Sequence, residues 1–193
     1  MLSRDTADTF LDQQESAVGT VLRRGVRVLS DREGSLAARV EAAAASALPA
    51  PAPPDQPEFD QSINDFWYHA LWAARKLRRG ELWVATDTVN SALGQRIVQQ
   101  LRWLAEARGD DAWHAARFVE RWTTPDVRSR LAATVAPYAA ESVPGALGAA
   151  GDVFSDVARE VAALRGLRYP DDVEGAIRAL LDRTLSDSSL DQG

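Results

Sequence analysis

Between Ile63 and Leu104 the chain carries an apolar stripe that only paired helices can bury. Ile63, Phe66, Trp67, Ala70, Leu71, Ala74 and Leu77 recur at steps of three and four, the spacing that lines one face of an α-helix. Gly80 can end that helix, Glu81 opens the next near its positive end, and Ala85, Val89, Leu93, Ile97, Leu101 and Leu104 continue the stripe. So short a connection makes the two helices antiparallel neighbours. The expected fold is therefore mainly α: an up-and-down helical bundle built on this hairpin, with a short N-terminal helix and strand remnant.

The rest of the chain divides around it. Leu36 to Leu48 is Ala-rich and favours a helix, whereas Pro49-Ala50-Pro51-Ala52-Pro53-Pro54 removes backbone donors repeatedly and stops one. A Pro-rich linker over 49–58 thus separates an N-terminal segment, 1–48, from a helical domain, 59–185, and a polar tail, 186–193. Within the N-terminal segment Thr6 to Glu15 reads as a short helix, and Val26, Val28 and Leu29 as a brief strand before the turn-like Asp31-Arg32-Glu33-Gly34. Beyond the hairpin, Asp110 or Asp111 can cap a helix reaching about Trp122, and Thr124-Pro125-Asp126 is a fresh start. Pro137, Pro144 and three glycines interrupt the pattern. Val153, Val157, Val161 and Leu164 restore it as far as Gly166, and an Asp-capped helix follows Tyr169-Pro170.

Composition removes several kinds of chemistry. Cysteine is absent from the 193 residues, which excludes disulfides, thiolate metal sites and thiol nucleophiles and suits a reducing, cytoplasmic setting. Met1 to Asp12 mixes acids and hydroxyls without the basic start and apolar core of a secretion signal, and no run is apolar enough to span a membrane. Lys and Arg number 22 against 28 Asp and Glu, a formal charge of -6 that favours a cationic ligand over nucleic acid.

The residues with chemical potential gather in the hairpin. All six Trp lie between Trp67 and Trp122. Trp67 falls on the inward stripe and is expected in the core, while Trp72 and Trp83 fall off it. Trp83 shares a helix side with Asp87 and Asn90, and Glu81 lies nearby. An indole, carboxylates and an amide on one surface suit an ammonium or guanidinium ligand, although a solvated polar face gives the same spacing. Arg75, Lys76, Arg78 and Arg79 cluster at a helix C-terminus, where cations offset the macrodipole without any ligand; phosphate is the alternative. His69 and His114 have no partners at zinc-binding spacing. Arg108 and His114 form an Arg-x5-His pair that resembles the motif of the HEPN ribonucleases. Nucleophile elbows, phosphate-binding loops and dinucleotide fingerprints are absent.

Asp65-Phe66-Trp67, Arg79-Gly80-Glu81-Leu82, Asp87, Asn90 and Trp103 together resemble the C-terminal helical domain of the aminoglycoside 6-adenylyltransferase (streptomycin adenylyltransferase) family. Val28-Leu29-Ser30-Asp31-Arg32-Glu33-Gly34 upstream, and Arg121-Trp122, Tyr169-Pro170-Asp171 and Glu174-Gly175 downstream, fall in the family's order. The resemblance implies an antibiotic-resistance nucleotidyltransferase that moves AMP from ATP to an aminoglycoside such as streptomycin. It also implies a catalytic domain with a Gly-Ser turn and paired aspartates that hold magnesium and ATP. Here Gly34-Ser35 is followed by Leu36-Ala37-Ala38-Arg39, so residues 1–48 correspond to the edge of that domain, and the chain is expected to be truncated and inactive alone.

The resemblance assigns Glu81, Trp83, Asp87 and Asn90 to a cationic aminoglycoside. His114 and Arg117 stand where the family directs a lysine-bearing loop toward the triphosphate. No catalytic or metal-ligating residue is expected in this chain, and ATP and magnesium enter only with a separate catalytic domain. The partners expected are that domain or a second copy of the chain. The alternatives are a non-catalytic helical interaction module and a HEPN-like ribonuclease.

Overall fold

The computed structural model describes residues 21, 26–31, 35–45, 52–112 and 116–186. They fall into two compact units, Met1–Pro51 and Ala52–Gly193. Helices dominate, and no strand occurs among the described residues. None of the helices is long and apolar enough to cross a membrane.

In the first unit, helix α1 spans Ser35–Ala44, and the Ala37 N–H donates to Asp31 Oδ2 at 2.8 Å, satisfying one of the helix's free starting donors. The segment around Val26, Val28 and Leu29 is irregular and not the expected strand. A β-branched run needs a neighbour to take its backbone hydrogen bonds, and the described residues offer none. The helix expected over Thr6 to Glu15 lies outside the described residues.

The second unit opens with α2, Gln56–Arg78. Asp55 caps it by accepting from the Glu58 N–H at 2.8 Å, and Pro57 occupies the first turn, where no donor is required. The helix therefore starts inside the stretch read from the sequence as linker. It ends at Gly80, whose φ of 72° lets the Glu81 N–H turn back to the Lys76 carbonyl at 3.0 Å.

The second arm of the hairpin is not one uniform helix. It comprises α3, Leu82–Asp87, a π-helical turn, Thr88–Leu93, and α4, Gly94–Arg108. Ala85, Val89, Leu93, Ile97 and Leu101 are all at most 2% exposed. They are spaced by four throughout, and an ideal α-helix turns about 40° too far at each such step. The wider π turn takes up part of that drift and keeps the stripe on the core.

After α4 the structure departs from the sequence reading. Among the described residues, the helix expected to run to Trp122 is represented by α5, Val119–Trp122, preceded by a turn at 116–118 in which Phe118 takes a left-handed φ of 56°. Helix α6, Pro125–Leu131, begins as expected, with the Thr124 hydroxyl accepting from the Val127 N–H. Helix α7 is longer than its valine pattern suggested, spanning Val143–Arg165. Pro144 lies in its first turn, where it is tolerated, so only the glycines weaken the helix's first half. Helix α8 spans Asp171–Ser186.

Helix α4 packs along α7, and α8 packs on α2. Between them Phe66 and Phe154 stack at 3.8 Å, Trp67 meets Phe66 edge-on, and Phe59 lies against Trp103 and Tyr169. Fully burying each such ring contributes about 2 to 3 kcal/mol. Trp67 is thus a core residue, as its position on the stripe predicted.

Candidate functional site

Trp83 is 71% exposed on α3, and Tyr138, from the loop after α6, is 63% exposed. Their rings meet edge to face at 6.0 Å with an interplanar angle of 62°. Two large aromatics that pack on each other while remaining open to solvent form a corner, not a core element. Asp87, one helical turn beyond Trp83, is exposed and accepts from the Ser91 hydroxyl at 2.9 Å.

Asn90 explains how the corner is held. Its Nδ2 donates to the Ala136 carbonyl at 2.9 Å, and its Oδ1 accepts from the Ala136 N–H at 2.8 Å. The side-chain amide thus binds one backbone residue in both directions and fixes the loop that carries Tyr138. Glu81, which the sequence offered as a second acid, pairs with Lys76 at 2.6 Å, while the Lys76 ammonium lies 4.7 Å from the Trp72 ring. Trp83, Asp87 and Asn90 therefore share the surface. Glu81 is tied to the basic helix end, and the basic cluster is in part explained locally.

A groove of about 620 Å³ lies along α4. Its described lining comprises Asn90, Ser91, Gly94, Gln95, Arg96, Val98, Gln99, Arg102 and Ala116. Arg96 donates to Asp65 Oδ2 at 2.6 Å and to the Gln99 side-chain Oε1 at 3.0 Å, and the Ser62 hydroxyl donates to the same oxygen at 3.3 Å. Next to Ala116, the guanidinium carbons of Arg117 and Arg121 lie 4.8 and 4.2 Å from the Phe118 ring. The Trp122 indole donates to the Arg117 carbonyl at 3.0 Å. Arg117 follows Ala116 in the chain but is not among the groove's described lining residues, and His114 lies outside the described residues.

Other sequence candidates have structural roles. The His69 Nδ1–H donates to the Asp65 carbonyl one turn back at 2.7 Å. Arg108, half of the Arg-x5-His pair, is taken by Glu160 of α7. Tyr138 went unrecognised in the sequence because nothing local to Pro137-Tyr138 marks a partner 55 positions earlier.

Three or more His, Asp or Glu side chains placed to hold a metal do not occur among the described residues.

Comparison with known proteins agrees with the sequence resemblance. The family model for streptomycin adenylyltransferase matches residues 1–184. Among solved structures, the fold resembles the crystal structure of an aminoglycoside 6-adenyltransferase from Bacillus subtilis, with a TM-score of 0.63 and 19% identity. The match covers 69% of this chain and 52% of that one, so the chain spans about half of the solved relative. No curated protein matches. With nearly its whole length matched by one family model, this chain belongs to the streptomycin adenylyltransferase family.

Proposed function

We propose that this chain supplies the substrate-binding helical part of an aminoglycoside adenylyltransferase, and that it binds a cationic aminoglycoside such as streptomycin without transferring AMP by itself. The observation that carries this reading is the solvent-open Trp83–Tyr138 corner beside Asp87. Ring faces attract ammonium and guanidinium groups, and an exposed carboxylate gives them a directed charge-assisted partner. Asn90 acts as a positioning residue through Ala136, and Glu81 stays paired with Lys76 at the edge of the same hairpin. ATP and magnesium belong to a nucleotidyltransferase domain carrying paired aspartates, which would complete the enzyme as a separate partner.

Calorimetry of the full chain with streptomycin at low salt tests the binding. Saturable binding is expected, weakened about tenfold by Asp87→Asn, the effect of losing one charge-assisted bond. No binding, or binding indifferent to both Asp87→Asn and Trp83→Ala, would overturn the pocket. Incubation with streptomycin, ATP and magnesium is expected to yield no adenylylated drug; turnover by the purified chain would overturn the claim of inactivity.

A further inference from the structure

Helix α2 carries a second aromatic surface, which shares no residue with the Trp83–Tyr138 corner. Opposite its buried stripe, α2 and its C-cap expose Gln61, Asn64, Tyr68, Trp72, Arg75 and Arg79 at steps of three and four, so these side chains line one outward face. Tyr68 is 60% exposed and Trp72 40%, and their rings lie nearly parallel, 6.3 Å apart at an angle of 23°. The Lys76 ammonium, itself held by Glu81 at 2.6 Å, sits 4.7 Å from the Trp72 ring. The stack and the cation hold both rings in place, so a partner that docks on them immobilises little that was free. Tyr, Trp and Arg are also the residue types in which binding energy concentrates at protein interfaces.

The order of charge along this face selects the occupant. Glu58 and Asp65 lie toward the start of α2, Arg75 and Arg79 toward its end, and Tyr68 and Trp72 stand midway between Asp65 and Arg75. Laid antiparallel on a copy of itself about a two-fold axis level with Ala70, the helix sets Tyr68 against the partner's Trp72, Asp65 against the partner's Arg75 and Gln61 against the partner's Arg79. A parallel copy would instead set like charges together at both ends. Asp65 already accepts from Arg96 at 2.6 Å, but a carboxylate has room for a second guanidinium. A patch complementary to its own reverse is what a two-fold interface requires, because the same patch serves both subunits.

We propose that the Tyr68–Trp72 face of α2 is the interface of a two-fold homodimer, with the aromatic pairs at its centre and an Asp65–Arg75 pair on each side. The corner that faces a cationic ligand lies outside this interface, so each subunit of the dimer keeps its own.

Sedimentation velocity of the full chain from about 1 to about 100 μM tests the association, over the concentrations at which modest interfaces form. A concentration-dependent monomer–dimer equilibrium is expected. Trp72→Ala should weaken it at least about tenfold, since each dimer loses two central indoles, and Arg75→Glu, which faces Asp65 with a like charge, should weaken it comparably. Trp83→Ala, outside the interface, should leave it intact. The register has its own readout. Because the chain has no cysteine, Asn64→Cys and Arg75→Cys variants can be mixed and treated with a short bis-maleimide. Cross-linking is expected in the mixture and not in either variant alone. A chain that stays monomeric throughout would leave the face to a different protein and overturn the proposal. So would a dimer that Trp83→Ala weakens as much as Trp72→Ala does, or one whose mixed cysteine variants fail to cross-link.

Discussion

Two glycines three residues apart on α7 answer differently to one added methyl group. A Cβ on Gly148 would meet nothing within 4 Å, whereas one on Gly151 would approach Trp67 Cη2 and Arg178 Nη1 at 3.3 Å. The Trp67 ring is buried against Phe66, and Arg178 is held by Glu174 at 2.7 Å and Asp152 at 3.1 Å, so neither has free room to yield. Helix-interior Gly→Ala gains about 0.5 to 1 kcal/mol from backbone entropy where space allows. Gly148→Ala is therefore expected to raise stability by that amount. Gly151→Ala should fall below the parent, since overpacking costs roughly 1 to 3 kcal/mol. Urea denaturation of the two variants checks both signs, and equal stabilisation would show that Trp67 and Arg178 can move. The sequence shows the glycines as helix breakers only, because their difference lies in what stands opposite them on α2 and α8.

At the scale of elements, side chains from distant positions dock segments that have no apolar stripe of their own. Gln56 brackets Arg168 as Asn90 brackets Ala136: its Nε2 donates to the Arg168 carbonyl at 3.0 Å and its Oε1 accepts from the Arg168 N–H at 2.9 Å. Periodicity revealed α2 and the core-facing side of α4, since those depend on neighbours three and four residues away. It missed these clamps, whose partners are 112 and 46 positions distant. Helix α8 is docked by charge as well. Glu174, 5% exposed, accepts from Ser155 at 2.8 Å, Tyr169 at 2.9 Å, Arg178 at 2.7 Å and Arg159 at 2.5 Å. Burial alone would raise its pKa, but bonds from Arg178, Ser155 and Tyr169 and the charge of Arg159 outweigh it and hold the carboxyl below its ordinary 4.5. A lowered folded pKa means that the carboxylate's contribution is complete above the ordinary value and is lost as pH falls through the folded one. Glu174→Gln should therefore cost roughly 2 kcal/mol at pH 7, and the gap should narrow as pH falls below about 4. Urea midpoints of parent and variant at pH 7 and pH 3 measure this; a gap that stays constant would remove Glu174 ionisation from the account. Burial, with the negative charge of Glu174 nearby, also pushes the Tyr169 phenol up to about 12.

For the molecule as a whole, the distribution of its core decides which part can stand alone. Among the described residues, the buried cluster runs from Phe59 to Leu181, within the second compact unit. Loss of N–H donors at the prolines is a local property that a sequence displays directly. The groove was not legible there, because it needs α4 and the turn at Ala116 to lie side by side. The second unit holds 142 residues, Ala52–Gly193, enough by its size to bury a self-sufficient core. All six Trp lie inside it, so Trp fluorescence follows its unfolding and nothing else. A fragment beginning at Ala52 is expected to unfold in one cooperative step, with a stability within about 1 kcal/mol of the same transition in the full chain, an ordinary margin for changes that leave a core intact. A fragment that loses its near-ultraviolet dichroism, or unfolds gradually, would show that residues 1–51 contribute to that core despite the partition of contacts.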